Sequence, residues 1–535
     1  MAYDVVARRT VVTNSLGFAT TYVGNENGLV VEMQDARGGV TLTQYSEYNE
    51  VLSETDALGF VTVHTYDEEG SCLITTLPSG AKLRREYDEQ NRLVALTDVV
   101  NGKWQWTYDA VGNLTARTNP LGNTERYEYK NGLLVRQLET ARQILELAYD
   151  EDGNLLTAQT NNGQQSRWLY DQWGRVRKAT DARGNVQWRA YDLLGRVLTL
   201  HEPDGNVRRF LYDALNNVVR AQDRNHDVQY SYRGLGRLIR RVEAGTAIEF
   251  LHDTEEQLRA IVNEHGLTYR FDLDGEGDVI TEAGFDGLTR RYQRDASGRV
   301  LAVLLPTNER TQYTYDNDGR ITEVVYGNGG RERYSYRADG MMLEASTDTS
   351  TVHFTRDVLG NILQEAQGIH TVKSLYDPLG YRFNVSSSLG AEVDYQRTEQ
   401  GDIERIKTGN WQALLERDAQ GLELHRTLSN NVRTRWKRDA LGRPIEQRIS
   451  TGLGGKERTR AYQWQKDDRL TQLQDSLYGR ATFEHDTVGN LIATSFDDGT
   501  RELRVSDAVG NLFTSTGRRD RRYGLAGELL ESKGT

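Results

Sequence analysis

The densest run of potential ligands is Asp272-Leu273-Asp274-Gly275-Glu276-Gly277-Asp278, with acidic side chains at positions 1, 3, 5 and 7. That spacing suits a calcium loop, where oxygen atoms from alternate residues wrap a hard cation and glycine at position 6 makes a sharp turn. No bidentate glutamate stands at position 12, so an acid-rich turn in the regular repeat phase is the better account of the run. The nine histidines are His64, His201, His226, His252, His265, His353, His370, His425 and His485. None forms the HxxxH or HExxH spacing that places two imidazoles on one metal. Cys72 is the only cysteine. It excludes an internal disulfide framework and a cysteine-based zinc site, and it reads as a small apolar side chain. No Walker A, GxSxG or CxxC motif occurs. Carboxylate pairs are common, but hairpin turns generate them without any glycosidase chemistry. The expectation is a chain with no catalytic constellation, no cofactor and no metal.

The residues that recur belong to a short slot: an aromatic, an aspartate, two free positions, a glycine, a polar residue and an aliphatic. Tyr170-Asp171…Gly174-Arg175-Val176 is followed after 21 residues by Tyr191-Asp192…Gly195-Arg196-Val197, and after 21 more by Tyr212-Asp213…Asn216-Asn217-Val218. Clean earlier copies are Tyr66-Asp67…Gly70, Tyr108-Asp109…Gly112 and Tyr149-Asp150…Gly153. Later ones include Tyr315-Asp316…Gly319 and Tyr376-Asp377…Gly380. Arginine takes the aromatic place at Arg294, Arg356, Arg397, Arg417 and Arg438, and Trp464, His252 and His485 take it elsewhere. A fixed period of this length marks a repeat array and decides the architecture before any local argument. The aspartate can accept from a backbone N–H two residues on, and the glycine supplies the positive φ of a tight turn. Asparagine replaces glycine at Asn91 and Asn216 because it tolerates the same region.

A second turn signature lies between slots, as in Thr55-Asp56-Ala57-Leu58-Gly59, Asn119-Pro120-Leu121-Gly122 and Thr180-Asp181-Ala182-Arg183-Gly184. Each repeat therefore reads turn, strand, turn, strand. The segments alternate as strands do: Trp104, Trp106 and Tyr108 share one face, Gln105 and Thr107 the other. Copies of such aromatic steps are expected to stack as ladders across the sheet. Leu134–Leu147 reads as two strands around Glu139-Thr140-Ala141-Arg142. One interval is long, and Ser450-Thr451-Gly452-Leu453-Gly454-Gly455-Lys456 within it reads as an extended hairpin loop. The expected organisation is a lead-in strand region over 1–23, an array of about 25 repeats over 24–529 and a tail over 530–535.

The bulk numbers suit a thin sheet. The 535 residues are 37% hydrophobic with a mean hydropathy of −0.68, and Gly (51) and Tyr (28) are abundant while Pro (6) is scarce. A single layer buries one strand face and wets the other. Net charge is −12 without a basic block, which argues against nucleic-acid binding. No apolar run reaches the roughly 18 residues of a membrane span, and the N-terminal stretch lacks the apolar core of a signal peptide. Synthesis in the cytoplasm, with any secretion through a specialised system, is the expectation.

Tyr-Asp-x-x-Gly-Arg-Leu/Val with an intervening Thr-Asp-x-x-Gly, at a period near 21, resembles the tyrosine-aspartate (YD) repeat of the Rhs family. That family includes bacterial Rhs polymorphic toxins, insecticidal toxin-complex C proteins, wall-associated proteins and teneurins. The resemblance covers nearly the whole chain. It implies an all-β fold, a β-hairpin ribbon spiralling into a hollow shell that is open or incomplete. About 50 strands at about 4.8 Å spacing give a ribbon roughly 240 Å long, enough for one or two superhelical turns. The resemblance further implies a non-enzymatic shell that sequesters a C-terminal toxin or effector polypeptide for export by a type VI or similar system. A secretion spike or chaperone, and self-association through open sheet edges, are the other implied partners. The family's autoprotease uses two DPxG motifs; here Asp377-Pro378-Leu379-Gly380 matches one, lies in phase as an ordinary slot and has no second copy nearby, so the protease is not carried over. A second reading from the same sheet is a surface or wall-associated adhesion or carbohydrate-binding module, with Trp173 as a binding platform.

Overall fold

The computed structural model describes residues 1–139, 142–161, 163–398, 400–451, 457–465, 468–487, 489–524 and 528–532. The expected tip of the long loop, 452–456, lies outside them. Among the described residues every regular element is a strand except one 3₁₀ turn, Ser429–Asn431. The pairing is antiparallel between sequence neighbours, as the hairpin reading requires: Gln165–Tyr170 pairs with Val176–Thr180, which pairs with Val186–Tyr191. Leu133–Glu139 and Arg142–Tyr149 also pair, so that stretch is two strands.

The repeat has an asymmetry that comes from its two turns. Across the slot, Leu169 faces Lys178 while Tyr170 faces Val176, so the register slips by one residue. The same slip recurs at Tyr66, Tyr108, Tyr191, Tyr212 and Tyr315. Across the intervening turn, Lys178, Ala179 and Thr180 face Trp188, Gln187 and Val186 without a slip. A bulge raises local right-handed twist. The recurring bulge on the slot side makes that extra twist periodic, and Leu133–Glu139 with Arg142–Tyr149 adds a slip across an intervening turn.

Exposure alternates along the strands. In Lys82–Tyr87, Leu83, Arg85 and Tyr87 are half-buried, and Lys82, Arg84 and Glu86 are exposed. The fully buried apolar set is small and rich in alanine, with Ala95, Ala260, Ala302 and Ala493 each in the strand that returns from a slot. Val228, Val324, Leu415 and Phe513 are the larger apolar side chains in that set. Asn206, 2% exposed, is the largest side chain enclosed to that degree. Its amide donates to Glu202 and its carbonyl accepts from the Val207 N–H.

By its internal contacts the chain divides into two units. Unit 1 comprises Met1–Thr124, Phe250–Val262 and Gly266–Lys373; unit 2 comprises Glu125–Glu249, Asn263–His265 and Ser374–Thr535. Each unit brings together stretches far apart in sequence. In unit 1 the hydrogen bonds that join them link residues 237 to 241 apart. In unit 2 the separations are 237 to 256.

Candidate functional site: the repeat slot and the seam between turns

In the slot at Asp171, Oδ1 accepts the N–H groups of Trp173 (2.9 Å) and Arg175 (3.0 Å). The Gly174 N–H reaches the Asp171 carbonyl at 3.0 Å, with φ of +73° at the glycine. The carboxylates of Asp67, Asp109, Asp150, Asp192, Asp213, Asp316 and Asp377 hold the same two N–H groups at 2.8–3.1 Å. Gly70, Gly112, Gly153, Gly195, Gly319 and Gly380 have φ between +81° and +95°, and Asn216 sits at +68°. Asp377 is therefore engaged as a turn residue in the manner of these other slot aspartates.

The residue after the glycine does more than begin the returning strand. Where it is arginine, Nε binds Oδ2 of its own slot aspartate: 2.7 Å for Arg175–Asp171, 2.6 Å for Arg196–Asp192 and 2.7 Å for Arg320–Asp316. The same guanidinium reaches the next slot. Arg175 donates to the Asp192 carbonyl at 3.0 Å and lies 4.8 Å over the Tyr191 ring. Arg92 over Tyr108, Arg196 over Tyr212 and Arg299 over Tyr315 repeat the stack at 4.6–4.9 Å. Successive slot tyrosines are two strands, about 9.6 Å, apart, beyond the reach of ring-on-ring contact. The expected aromatic ladder is thus an alternating tyrosine–arginine ladder at these slots. Where asparagine follows the glycine, its amide takes only the local bond, as Asn113 does on Asp109 (2.9 Å).

The tyrosine hydroxyl explains what can replace it. Tyr170 donates to the Leu155 carbonyl at 2.8 Å, Tyr191 to Val176 at 2.7 Å and Tyr315 to Val300 at 2.7 Å. Each acceptor begins the returning strand of the preceding slot. Arg294 donates to the equivalent carbonyl of Val279 (3.0 Å), Arg356 to Met342 (3.0 Å) and the Trp464 indole to Pro444 (2.7 Å). The slot asks for a long side chain with a donor at its far end. Imidazole is shorter, and the buried Nδ1 of His252 has no hydrogen-bond partner.

These bonds set the electrostatics. The Asn113 amide and then backbone N–H groups hold Asp109 below the usual carboxylate range, against the upward push of burial. At Asp171 burial is the largest influence and pushes upward, but the Arg175 N–H and guanidinium together outweigh it. On the half-buried face of unit 1, Glu282 accepts from Tyr269 and Tyr292, each at 2.8 Å. Burial first, and then that carboxylate, push the Tyr292 phenol up to about 12.

The intervening turns meet the slots of distant repeats. In unit 1 Arg37 reaches Asp274 (3.1 Å) and Asp278 (2.6 Å), and Glu276 accepts the Ala36 N–H (2.7 Å). Ser79 donates to Asp318 at 3.1 Å. In unit 2 Arg183 approaches Asp418 (3.3 Å) and donates to the Asp439 carbonyl (2.8 Å). Gln420 donates to Asp181 (2.6 Å), and Gln400 to Asn161 (2.8 Å). Here the structure replaces the calcium reading. Asp274 also accepts the N–H groups of Glu276 and Asp278 as an ordinary slot aspartate, and the cation its carboxylate meets is a guanidinium. Among the described residues no group of three or more His, Cys, Asp or Glu side chains could hold a metal ion. Trp173 is exposed, with Arg175 stacked 4.6 Å from its ring. No helix among the described residues is long and apolar enough to cross a membrane.

With this geometry in hand, the likenesses to known proteins fall into place. The Teneurin YD-shell family profile matches residues 113–283, and the RHS repeat profile matches residues 294–331. This chain contains an Rhs-type YD-repeat shell region. The toxin protein Tse5 of Pseudomonas aeruginosa is 28% identical over 202 residues, which is 34% of this chain and 15% of Tse5. Among solved structures, TcdB2-TccC3 superposes with a TM-score of 0.71 at 13% identity, over 96% of this chain and 38% of that one. The Photorhabdus luminescens Tc holotoxin pore superposes with a TM-score of 0.60 at 13% identity, over 98% of this chain and 33% of that one. At such identity the likeness is one of fold. The YD-repeat shell region thus spans well under half of the proteins it resembles. Three of its working parts lay outside the sequence reading: the arginine bridge, the carbonyl acceptor of the tyrosine and the pairing of the two turn types. The first had a visible signal, since arginine or asparagine follows the glycine in slot after slot.

Proposed function

We propose that this chain is wall of a non-enzymatic shell that sequesters a toxin or effector polypeptide, for export by a type VI or similar system. The observation that carries the reading is the division of labour in the repeat. Slot and intervening turns are joined along a seam in each unit, while one strand face stays half-buried with, among the described residues, no second layer of elements over it. A single-layer wall needs this arrangement: edges closed to one another, and one face left for contents. The chemistry of that face is mixed, with tyrosine, tryptophan and paired ions such as Glu282 with Arg290 (3.3 Å). Such a surface can hold an incompletely folded polypeptide without offering it one continuous apolar core.

The test is protease protection in the full-length protein that carries this region and its toxin polypeptide. The toxin segment is expected to resist a protease at neutral pH and to be cut once the shell is melted. Cleavage at the rate of the isolated toxin polypeptide, with the shell still folded, contradicts the proposal.

A further inference from the structure

On the half-buried face of unit 2, one row of cross-strand neighbours runs Phe210, Ala221, Val228, Glu243. In other repeats long side chains fill the middle of that row: Glu282 and Arg290 beyond Phe271, or Gln447 and Arg460 beyond Trp436. Ala221 and Val228 are short, so the row dips between Phe210 and Glu243. The dip belongs to an open cavity of about 390 Å³, lined also by Arg208, Arg241 and, from a slot turn far along the chain, Asp468. That volume suits a small organic group, and an apolar floor with a few polar side chains around it is the usual make-up of a binding site.

The acids of the lining are already answered. Glu243 is 5% exposed and is held by Arg241 and by His226, whose Nδ1 lies 2.6 Å from Oε1. Asp223 accepts the N–H groups of Asn225 and His226, each at 2.8 Å. Asp468 is bound by Arg443 at 2.8 Å. Arg208 differs: its side chain is 48% exposed, and among the described residues it makes one ion pair, with Glu202 at 3.1 Å. It stands two residues before Phe210 on the same strand face, so its guanidinium borders the apolar floor. The group this cavity fits is an apolar body with an acid beside it. We infer that the hollow seats an apolar side chain of the enclosed polypeptide, with a neighbouring carboxylate on Arg208. The identity of the occupant rests on the enclosure reading above; the chemistry of the site does not. A guanidinium offers a carboxylate paired N–H bonds, stronger than neutral ones, and Phe210, Ala221 and Val228 take the apolar body out of water.

The probe is N-acetylphenylalanine, an apolar ring with one carboxylate, and its control is N-acetylphenylalaninamide. Saturation-transfer NMR on the purified chain is expected to show the acid bound and the amide roughly tenfold weaker, the scale of one charge-assisted bond. Arg208→Gln is expected to bring the acid down to the affinity of the amide. Ala221→Leu, which fills the hollow, is expected to abolish binding of both while the strand signal in circular dichroism stays that of the wild type. An acid that does not bind, an amide that binds as well as the acid, or a folded Ala221→Leu chain that binds as the wild type does overturns the site. The occupant is tested in the full-length protein that carries the toxin polypeptide. There the acid is expected not to bind, and to bind once the toxin segment is deleted. A full-length protein that shields its toxin from protease yet still binds the acid overturns the inference and leaves the enclosure standing. A toxin segment cut as fast as the isolated one overturns the enclosure, and the occupant with it, whatever the acid does on the purified chain.

Discussion

At the scale of single residues, the slot works through donors and acceptors that reach one repeat beyond their own. Tyr191→Phe keeps the ring under Arg175 and loses the hydroxyl bond to the Val176 carbonyl. It is expected to cost about 1 kcal/mol, the usual net worth of such a bond, read by denaturant melting. Tyr191→Arg is expected to do better than Tyr191→Leu, because arginine supplies the donor as Arg294 does. Equal losses for the two would contradict the donor rule. Gly112→Ala meets no neighbouring atom within 4 Å, so its cost isolates the φ of +95°; about 1–2 kcal/mol is expected. The pH profile has two limbs. The carboxylates of Asp88, Asp109, Asp150 and Asp213 sit below the ordinary range, chiefly through the side chain of the residue after the glycine or asparagine. Their stabilisation is whole above the unfolded-state value near pH 4 and is lost as pH falls through the lowered folded-state values. Tyr292, by burial and Glu282, and Tyr334, by Glu332 and burial, are pushed up to about 12. A raised folded value favours the neutral phenol, so that contribution is whole below pH 10 and is lost as pH rises to 12. Thermal melts across pH 2–12 are expected to show a plateau with both limbs; a midpoint that is level from pH 7 to 12 contradicts the second.

At the scale of elements, the strand–turn–strand order was legible because its causes are local. Asp171 and Gly174 make their turn within five residues, and the alternation of Trp104, Trp106 and Tyr108 needs only a strand. The seam was not legible, because its causes are 240 residues apart. Nothing near Asp274 announces Arg37, so the acid run reads only as a turn, with a cation loop as its minor alternative, and its guanidinium partner stays hidden. Likewise Asp181-Ala182-Arg183-Gly184 read as a bare turn, although Arg183 bonds Asp439 of a distant slot. Arg37→Ala leaves Asp274 and Asp278 facing each other without their cation. It is expected to lower stability by about 1–3 kcal/mol, the penalty of stranding a charge-assisted bond. Millimolar calcium is expected to leave the wild-type melting midpoint unchanged. A rise of several degrees on adding calcium to the wild type would restore the calcium reading.

At the scale of the whole molecule, repetition does the work that a core does elsewhere. The interior of the sheet is thin, its buried apolar residues are mostly alanine, and each repeat leans on the next through Arg–Tyr and Tyr–carbonyl links. Stability of that kind is spread along the chain as neighbour terms. The central claim is that such a wall encloses a polypeptide. It is tested most directly by following cleavage of the toxin segment in the full-length protein at pH 7 and after acid has melted the shell. The account predicts protection at pH 7 that vanishes together with the strand signal in circular dichroism. Cleavage at pH 7 as fast as for the isolated segment, with the strand signal intact, would contradict it.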